Sequence, residues 1–189
     1  MMLRNTQDRY GWITIALHWL SALAVFGLFG LGLYMVELTY YHPWYREAPL
    51  IHKSLGMLLL LATLFRLWWR FSNPSPNAPA GQGRATQVAA KLGHGAIYLL
   101  LLTLMVSGYL ISTADGRAID IFNWFSIPAL IHGLPQQEEL AGTVHAYAAW
   151  SLIVLAAGHG LAAVKHQFLD RDNTLGRMIS PQTKERATL

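Results

Sequence analysis

Four long apolar stretches dominate this chain of 189 residues. Three of them contain no Asp, Glu, Lys or Arg: residues 10–36, 92–114 and 140–164. The fourth, residues 50–69, carries Lys53 and Arg66 near its ends. Each stretch is about long enough to cross a hydrocarbon core of ~30 Å as an α-helix. The pattern predicts an all-α transmembrane four-helix bundle, a single domain over residues 1–189, with helices at about residues 11–36, 49–70, 90–112 and 139–167. The third helix could start either at about Ala85 or at about Lys91.

Basic residues are distributed unevenly between the connecting segments. If the first helix runs outward, eleven of the 14 Lys and Arg residues lie at the end of the bundle that holds both termini, and three lie at the other end. Because basic residues accumulate on the cytoplasmic side, the basic end is predicted to be cytoplasmic. We call it the inner end and the opposite one the outer end. The basic pI of about 9.5 follows from this bias and from anionic lipid, so no nucleic-acid partner is expected.

The absence of cysteine limits the possible cofactors. It excludes disulfides, thiolate-bound zinc, iron–sulfur clusters and covalently attached c-type haem. Any metal must therefore be bound by histidine, carboxylate or methionine side chains.

Histidines supply the main functional signal. His145 and His159 lie 14 residues apart on the fourth helix, which is roughly 21 Å along the axis and nearly the same face. Among the eight histidines, His52 is the only other one predicted in the outer half of a helix, so it is the natural partner of His145. The inner half offers three histidines, and the residues alone leave the pairing open: His18, His94 and His159. His42 and His132 fall in outer loops, and His166 lies at the inner surface.

Paired histidines at two depths favour two stacked metal centres over isolated packing residues. A single membrane histidine is often only hydrogen-bonded to a backbone carbonyl or a hydroxyl group. Zinc needs about four close ligands, and no acidic residue accompanies these histidines within the helices. Haem needs only two axial ligands, and bis-imidazole iron suits electron transfer.

Further residues are predicted around the proposed macrocycles. Arg66, Arg70 and Arg9 could pair with inner haem propionates and Lys53 with outer ones, although snorkelling to the surface also explains such residues. Small residues flank several histidines, and they would admit either a flat macrocycle or close helix packing: Gly56, Gly93, Gly95, Gly142, Gly158 and Gly160. No internal sequence repeat is evident.

Several short motifs occur in order along the chain. They are His18-Trp19, His52 with Gly56, Gly93-His94 followed by Tyr98-Leu99-Leu100, Ser107-Gly108, the His145–His159 spacing, and Asp172-Asn173-Thr174-Leu175 with Arg177-Met178. In this order the sequence resembles the bacterial di-haem cytochrome b561 family, whose wider relatives include superoxide oxidases and the cytochrome b subunits of hydrogenases and formate dehydrogenases. The resemblance covers nearly the whole chain, from residue 9 to about residue 178.

The resemblance implies a ligand set and a function. His18 and His159 would bind the inner haem b, and His52 and His145 the outer one. His94 and His166 would lie near the inner haem or on the side of a quinone, such as ubiquinone. The expected protein is a multi-pass cytochrome of the bacterial inner membrane, in contact with lipid, that passes electrons between a periplasmic partner and the quinone pool.

The periplasmic partner is left open, and two other functions are considered. The partner could be superoxide or a protein, because six acids against three bases on the outer side give little support for steering an anion. The chain could instead anchor a periplasmic oxidoreductase, with the aromatic outer residues 122–125 docking it or resting on lipid. The longer aromatic segment that contains them, residues 119–130, is expected to lie on the membrane surface or to cap the bundle. In another class, it could be a non-redox metal or proton transporter that uses the histidines as relays.

Overall fold

Four long helices form the molecule. The computed structural model describes residues 2–79 and 81–181, and its helices are α1 (Trp12–Val36), α2 (Glu47–Phe71), α3 (Arg84–Thr113) and α4 (Gln137–Phe168). Each is long and apolar enough to span a membrane, which confirms the predicted four-helix bundle. The remaining positions, which include the basic residues Lys184 and Arg186, lie outside the described residues, and the single-domain boundary of 1–189 stays a prediction.

The third helix begins at the earlier of the two starts predicted. It starts at Arg84, next to Ala85, and not near residue 90. Gly81 adopts a left-handed φ of +87°, and Gly83 is extended, so the proline-rich segment ends there and the helix can begin. The following Arg, Ala, Gln and Lys residues are good helix formers. The later start, near residue 90, followed from the apolar stretch alone, whereas the helix continues into the polar inner surface.

A β-hairpin between α3 and α4 was not predicted. Strands β1 (Ile119–Ile121) and β2 (Phe125–Ile127) pair antiparallel, and Ile121 faces Phe125. The loop between the strands has three residues, Phe122, Asn123 and Trp124. Trp124 N donates to Ile121 O at 2.9 Å, and the two central residues of this turn, Phe122 and Asn123, both have positive φ, as those of a type I′ turn do. Ile119 and Ile121 are almost fully buried. The aromatic outer segment therefore caps the bundle, one of the two placements expected for it.

A buried serine attaches this hairpin to α2. Ser54 has no exposed surface. Its Oγ accepts a hydrogen bond from Phe122 N at 3.0 Å and donates one to Asp120 O at 3.4 Å. Ser54 lies two residues after His52, so the hairpin is held against the helix segment that carries an outer histidine.

The C-terminal segment joins the three inner segments of the chain. The Arg177 guanidinium donates to the carbonyls of Asp8 and Asn77, at 3.2 Å and 2.9 Å. Trp19 Nε1 donates to Met178 O at 2.6 Å. These contacts connect the N-terminal tail, the loop after α2 and α1 at one end of the bundle. They give a physical reason for the Arg177-Met178 motif and put both ends of the described chain on the inner side.

The core lies halfway along the bundle. Leu28, Leu59, Leu101, Met105 and Leu152 form a buried cluster to which all four helices contribute. The most extensive packing is within two hairpins, α1 with α2 and α3 with α4. Contacts between the hairpins are fewer, so a seam runs between them above and below the leucine layer.

The hairpin anchor gives a first prediction. Replacing Ser54 by alanine leaves the Phe122 N–H without its acceptor, and a buried unpaired donor costs about 1–3 kcal/mol. We expect Ser54→Ala to lower the melting temperature of the protein in detergent. The matched control is Ser151→Ala, because Ser151 is exposed on α4. Equal melting temperatures for the two variants would contradict the anchoring role.

Candidate histidine centres in the membrane

All four helices share a spacing of seven residues between the positions that face the centre. The sequence interpretation recognised the 14-residue spacing only in α4. From the inner level to the outer, α1 carries His18, Val25 and Gly32, and α3 carries His94, Leu101 and Gly108. From the outer level to the inner, α2 carries His52, Leu59 and Arg66, and α4 carries His145, Leu152 and His159. Since seven residues advance about 10 Å on nearly one face, the leucine layer separates two polar levels.

The outer level contains a pair of facing histidines. The ring centroids of His52 and His145 are 6.2 Å apart, with an interplanar angle of 64°. Each ring lies against a glycine on the other helix of its helical hairpin. A Cβ at Gly32 would come 3.3 Å from His52 Cε1, and one at Gly108 would come 3.2 Å from His145 Cε1. The predicted partners are therefore brought together, with a glycine behind each.

Backbone carbonyls lie beside both outer imidazoles. His145 Nδ1 is 3.0 Å from Leu104 O and 3.1 Å from Ser107 Oγ. Donation from Nδ1–H to the carbonyl leaves Nε2 free to bind a metal. The Leu28 carbonyl lies beside His52 in the corresponding position, although the buried Nδ1 of His52 completes no hydrogen bond to any described residue.

The inner level brings three histidines together. The ring centroids of His18 and His159 are 6.2 Å apart at an interplanar angle of 64°, the same values as in the outer pair. His94 lies closer to His159, at 5.2 Å. The His94–His159 contact is within one hairpin, whereas the His18–His159 contact crosses the seam between the hairpins.

Arg66 occupies the fourth position of the inner level. Its Nη2 lies 3.2 Å from His18 Nδ1, and its Cζ lies 5.5 Å from the centre of the Tyr98 ring. Arg70 approaches the same ring at 5.8 Å. Among the described residues neither guanidinium forms an ion pair with a carboxylate. The inner level therefore carries positive charge that has no protein counter-ion in this part of the chain.

A six-coordinate iron with two axial imidazoles fits these distances. Two metal–nitrogen bonds of about 2.0 Å, plus the distance of each nitrogen from its ring centre, put the two centroids about 6 Å apart. The His52–His145 and His18–His159 pairs meet this requirement, and the His94–His159 distance is about 1 Å too short. Iron at His18 Nε2 would put the ring proton on Nδ1. Arg66 would then turn to another acceptor, for which porphyrin carboxylates are suitable.

The glycines near the histidines border open space. A Cβ at any of the six glycines singled out in the sequence would meet no atom within 4 Å: Gly56, Gly93, Gly95, Gly142, Gly158 and Gly160. Close helix–helix packing therefore does not explain them. Open space beside the helices is what a flat macrocycle requires. The glycines that contact the outer imidazoles of the helices are Gly32, which the sequence interpretation missed, and Gly108, which it noted only as part of a motif.

His166 lies apart from the inner histidines, in the last turn of α4. Its Nδ1 is 2.8 Å from Asp170 Oδ2 and 3.0 Å from Asp172 Oδ2. Burial opposes ionisation of Asp172, but hydrogen bonds from Thr174 and Gln82 outweigh it and hold the pKa of the Asp172 carboxyl below its usual value. The His166 ring thus lies beside a charged Asp172, although its Nδ1 completes no hydrogen bond to any described residue. A role of His166 beside a quinone stays a prediction.

The other predicted residues are less closely involved. Lys53 is half-buried beside His52 in sequence, but none of the described contacts joins it to a histidine. Arg9 is exposed in the N-terminal tail. His42 lies in the outer loop, where its Nδ1 accepts a hydrogen bond from Trp44 N, and the His132 ring packs near Gly116. Both loop histidines lie outside the four helices.

Comparison with known proteins agrees with this architecture. The family model described as prokaryotic cytochrome b561 matches residues 9–181. The chain is 46% identical over 185 residues to the cytochrome b561 homolog 2 of Escherichia coli (strain K12), covering 98% of each protein. It is 29% identical over 181 residues to the probable superoxide oxidase CybB of Yersinia pestis, covering 90% of this chain and 96% of that protein.

The fold and the histidine levels define a class of membrane protein: a helical bundle built to bind b-type haem. The chain belongs to the prokaryotic cytochrome b561 family. It is a multi-pass protein of the bacterial inner membrane and a b-type cytochrome. The family resemblance inferred from the sequence is thereby confirmed, whereas the assignment of individual ligands stays a prediction.

The glycine contacts give a second prediction. In an open helix position Gly→Ala is favourable by about 1 kcal/mol, but a Cβ at Gly32 or Gly108 would push a histidine ring out of place. Changes that disturb the orientation of a metal ligand typically cost about 10–100-fold in affinity. We expect Gly32→Ala and Gly108→Ala to lose haem on dilution, measured as the haem-to-protein ratio. The control is Gly30→Ala, because a Cβ at Gly30 meets nothing within 4 Å. Equal retention in all three variants would contradict the role of the two glycines.

Proposed function

We propose that the chain binds two b haems and passes electrons across the membrane between a partner at the outer side and the quinone pool. The outer haem would be held by His52 and His145, and the inner haem by His18 and His159. Bound haem supplies a one-electron couple. The protein contributes the axial imidazoles, their orientation, and a dry path between the two levels.

One observation carries this proposal. Two histidine pairs that lie about 21 Å apart along the bundle have the same centroid distance of 6.2 Å. Both pairs cross the seam between the hairpins, whereas the His94–His159 contact within one hairpin has the same interplanar angle but a shorter distance of 5.2 Å. Two unrelated packing contacts would have no reason to share the distance, whereas two sites that hold the same group would.

The seam supports His18 over His94 as the inner ligand. His94 packs on His159 within the α3–α4 hairpin, and Arg66 contacts His18 in the equivalent way within the α1–α2 hairpin. A macrocycle between the hairpins needs ligands from both of them. His18 and His159 provide two imidazoles across the seam at the distance of the outer pair, whereas His94 lies in the same hairpin as His159.

A metal transporter is the less favoured alternative. No group of three or more His, Cys, Asp or Glu side chains among the described residues is arranged to bind a metal ion. A transported ion such as zinc would need about four close ligands. Paired imidazoles without carboxylates instead suit a group that brings four equatorial ligands of its own.

The identity of the outer partner is the finer part of the proposal. Similarity to a probable superoxide oxidase favours superoxide as an electron donor. Docking of a protein is supported by the exposed tip of the β-hairpin, where Trp124 is 81% exposed. We take superoxide as the first donor to test, with a protein as the alternative.

The haem content tests the ligand set. The purified protein should give a dithionite-reduced spectrum of b-type haem at two haems per chain. His145→Ala and His159→Ala should each lose about one haem, because each removes one axial ligand. His18→Ala should also lose one, whereas His94→Ala and the loop control His132→Ala should keep both. Loss of haem in His94→Ala with retention in His18→Ala would reverse the inner assignment, and a protein without b-haem bands would end the proposal.

The direction of reaction is tested with substrates. Under anaerobic conditions, oxidised protein mixed with a pulse of superoxide should show haem reduction within milliseconds. Addition of ubiquinone should then reoxidise the haem. The His52→Ala variant should lose the fast phase, since the outer haem would be absent. Reduction by ubiquinol alone, with no response to superoxide, would favour a protein acceptor at the outer side.

A further inference from the structure

The inner and outer levels differ in charge. Arg66 lies half-buried at the inner level beside His18, and Arg70 follows one turn later. Both guanidiniums lie over the Tyr98 ring and close enough to His94 to act on it electrostatically. At the outer level the corresponding neighbours of the imidazoles are neutral: the carbonyls of Leu104 and Leu28, and the Ser107 hydroxyl.

These surroundings would affect two otherwise similar haems in opposite directions. All four proposed axial ligands are histidines, so ligand identity does not distinguish the sites. Reduction adds an electron, and a fixed positive charge nearby favours the reduced form. A carbonyl that accepts the Nδ1–H hydrogen makes the imidazole a stronger donor to the metal, which favours the oxidised form.

The inner charge does not depend on one hydrogen bond. Arg66 would leave His18 Nδ1 when iron binds, but its position on α2 keeps the guanidinium at the same level. Porphyrin carboxylates would offset part of the charge. They would do so at both haems, but among the described residues the inner level alone has a half-buried arginine at a facing position to oppose them. Lys53 at the outer level follows His52 by one residue and so lies on another face of α2.

We propose that Arg66, with Arg70 behind it, makes the inner haem the more easily reduced of the two, so that a single added electron rests at the inner end. This inference rests on the proposed function. It assigns to Arg66 a positioning and electrostatic role, not that of a ligand. It also explains why an arginine occupies the position that a histidine holds in α4.

A redox titration of the purified protein, followed at the haem absorption bands, tests the inference. The His145→Ala variant, which should lack the outer haem, identifies the wave of the inner haem. Arg66→Gln as the sole substitution should make the higher-potential haem harder to reduce by at least tenfold in the equilibrium constant. For a one-electron couple this lowers the midpoint of that wave by about 59 mV. Arg66→Lys keeps the charge and should leave that midpoint near its original value. Arg70→Gln should shift it in the same direction by a smaller amount.

The matched control is Arg84→Gln. It removes one positive charge at the same end of the bundle, but from an exposed residue at the start of α3, and should move neither wave. The inference is wrong if Arg66→Gln shifts the lower-potential wave, or if it moves neither wave more than the control does. If Arg66→Gln does not retain the inner haem, Arg70→Gln takes its place. The inference is then wrong if Arg70→Gln shifts the lower-potential wave, or moves neither wave more than the control does. Two haems per chain that titrate at one shared midpoint would also contradict the inference, whereas a starting protein with fewer than two haems per chain would show that the proposed function itself is wrong.

Discussion

The leucine layer at mid-depth is the interaction on which the rest of the structure depends. Leu59, Leu101 and Leu152 each lie seven residues from a histidine on the same helix face, and Leu28 completes the layer from α1. Burying a leucine side chain contributes about 1.5–3 kcal/mol relative to water; in lipid the gain comes instead from close packing between helices. The layer fixes the axial register of the four helices. Because each helix has its facing positions seven residues apart, this register brings those side chains together at two levels, one on each side of the layer.

The two hairpins are arranged as approximate copies. His18 and Gly32 in α1 occupy the positions of His94 and Gly108 in α3, and His52 in α2 occupies that of His145 in α4. At the outer level the copies are alike, with one histidine from each hairpin and one glycine behind it. This relationship was not evident from the sequence because it does not involve similar stretches of residues. It involves only the spacing of the few positions that face the centre.

The sequence predicted the membrane helices because charge is excluded from hydrocarbon over the full length of a span, which is a strong and local signal. The outer pairing of His52 with His145 followed from depth alone.

The roles of Gly32 and Gly108 could not be predicted, since a glycine in an apolar helix looks the same whether it faces lipid or an imidazole. The β-hairpin was missed because two three-residue strands within an aromatic loop depend on Ser54, which lies 68 residues from the backbone nitrogen it accepts from. Likewise, the Arg177 contacts join segments that are adjacent only after folding.

The departure from symmetry at the inner level has a structural consequence. With histidine at position 66, two equivalent pairs would cross the seam, His18 with His159 and His94 with the new residue, and they would compete for one macrocycle. Arginine at this position removes the second of these pairs, because a guanidinium stays protonated and is no iron ligand. Under the proposed function, the same residue would provide the charge that distinguishes the inner site from the outer one. A four-helix frame that repeats its spacing in every helix would then be made directional by one residue.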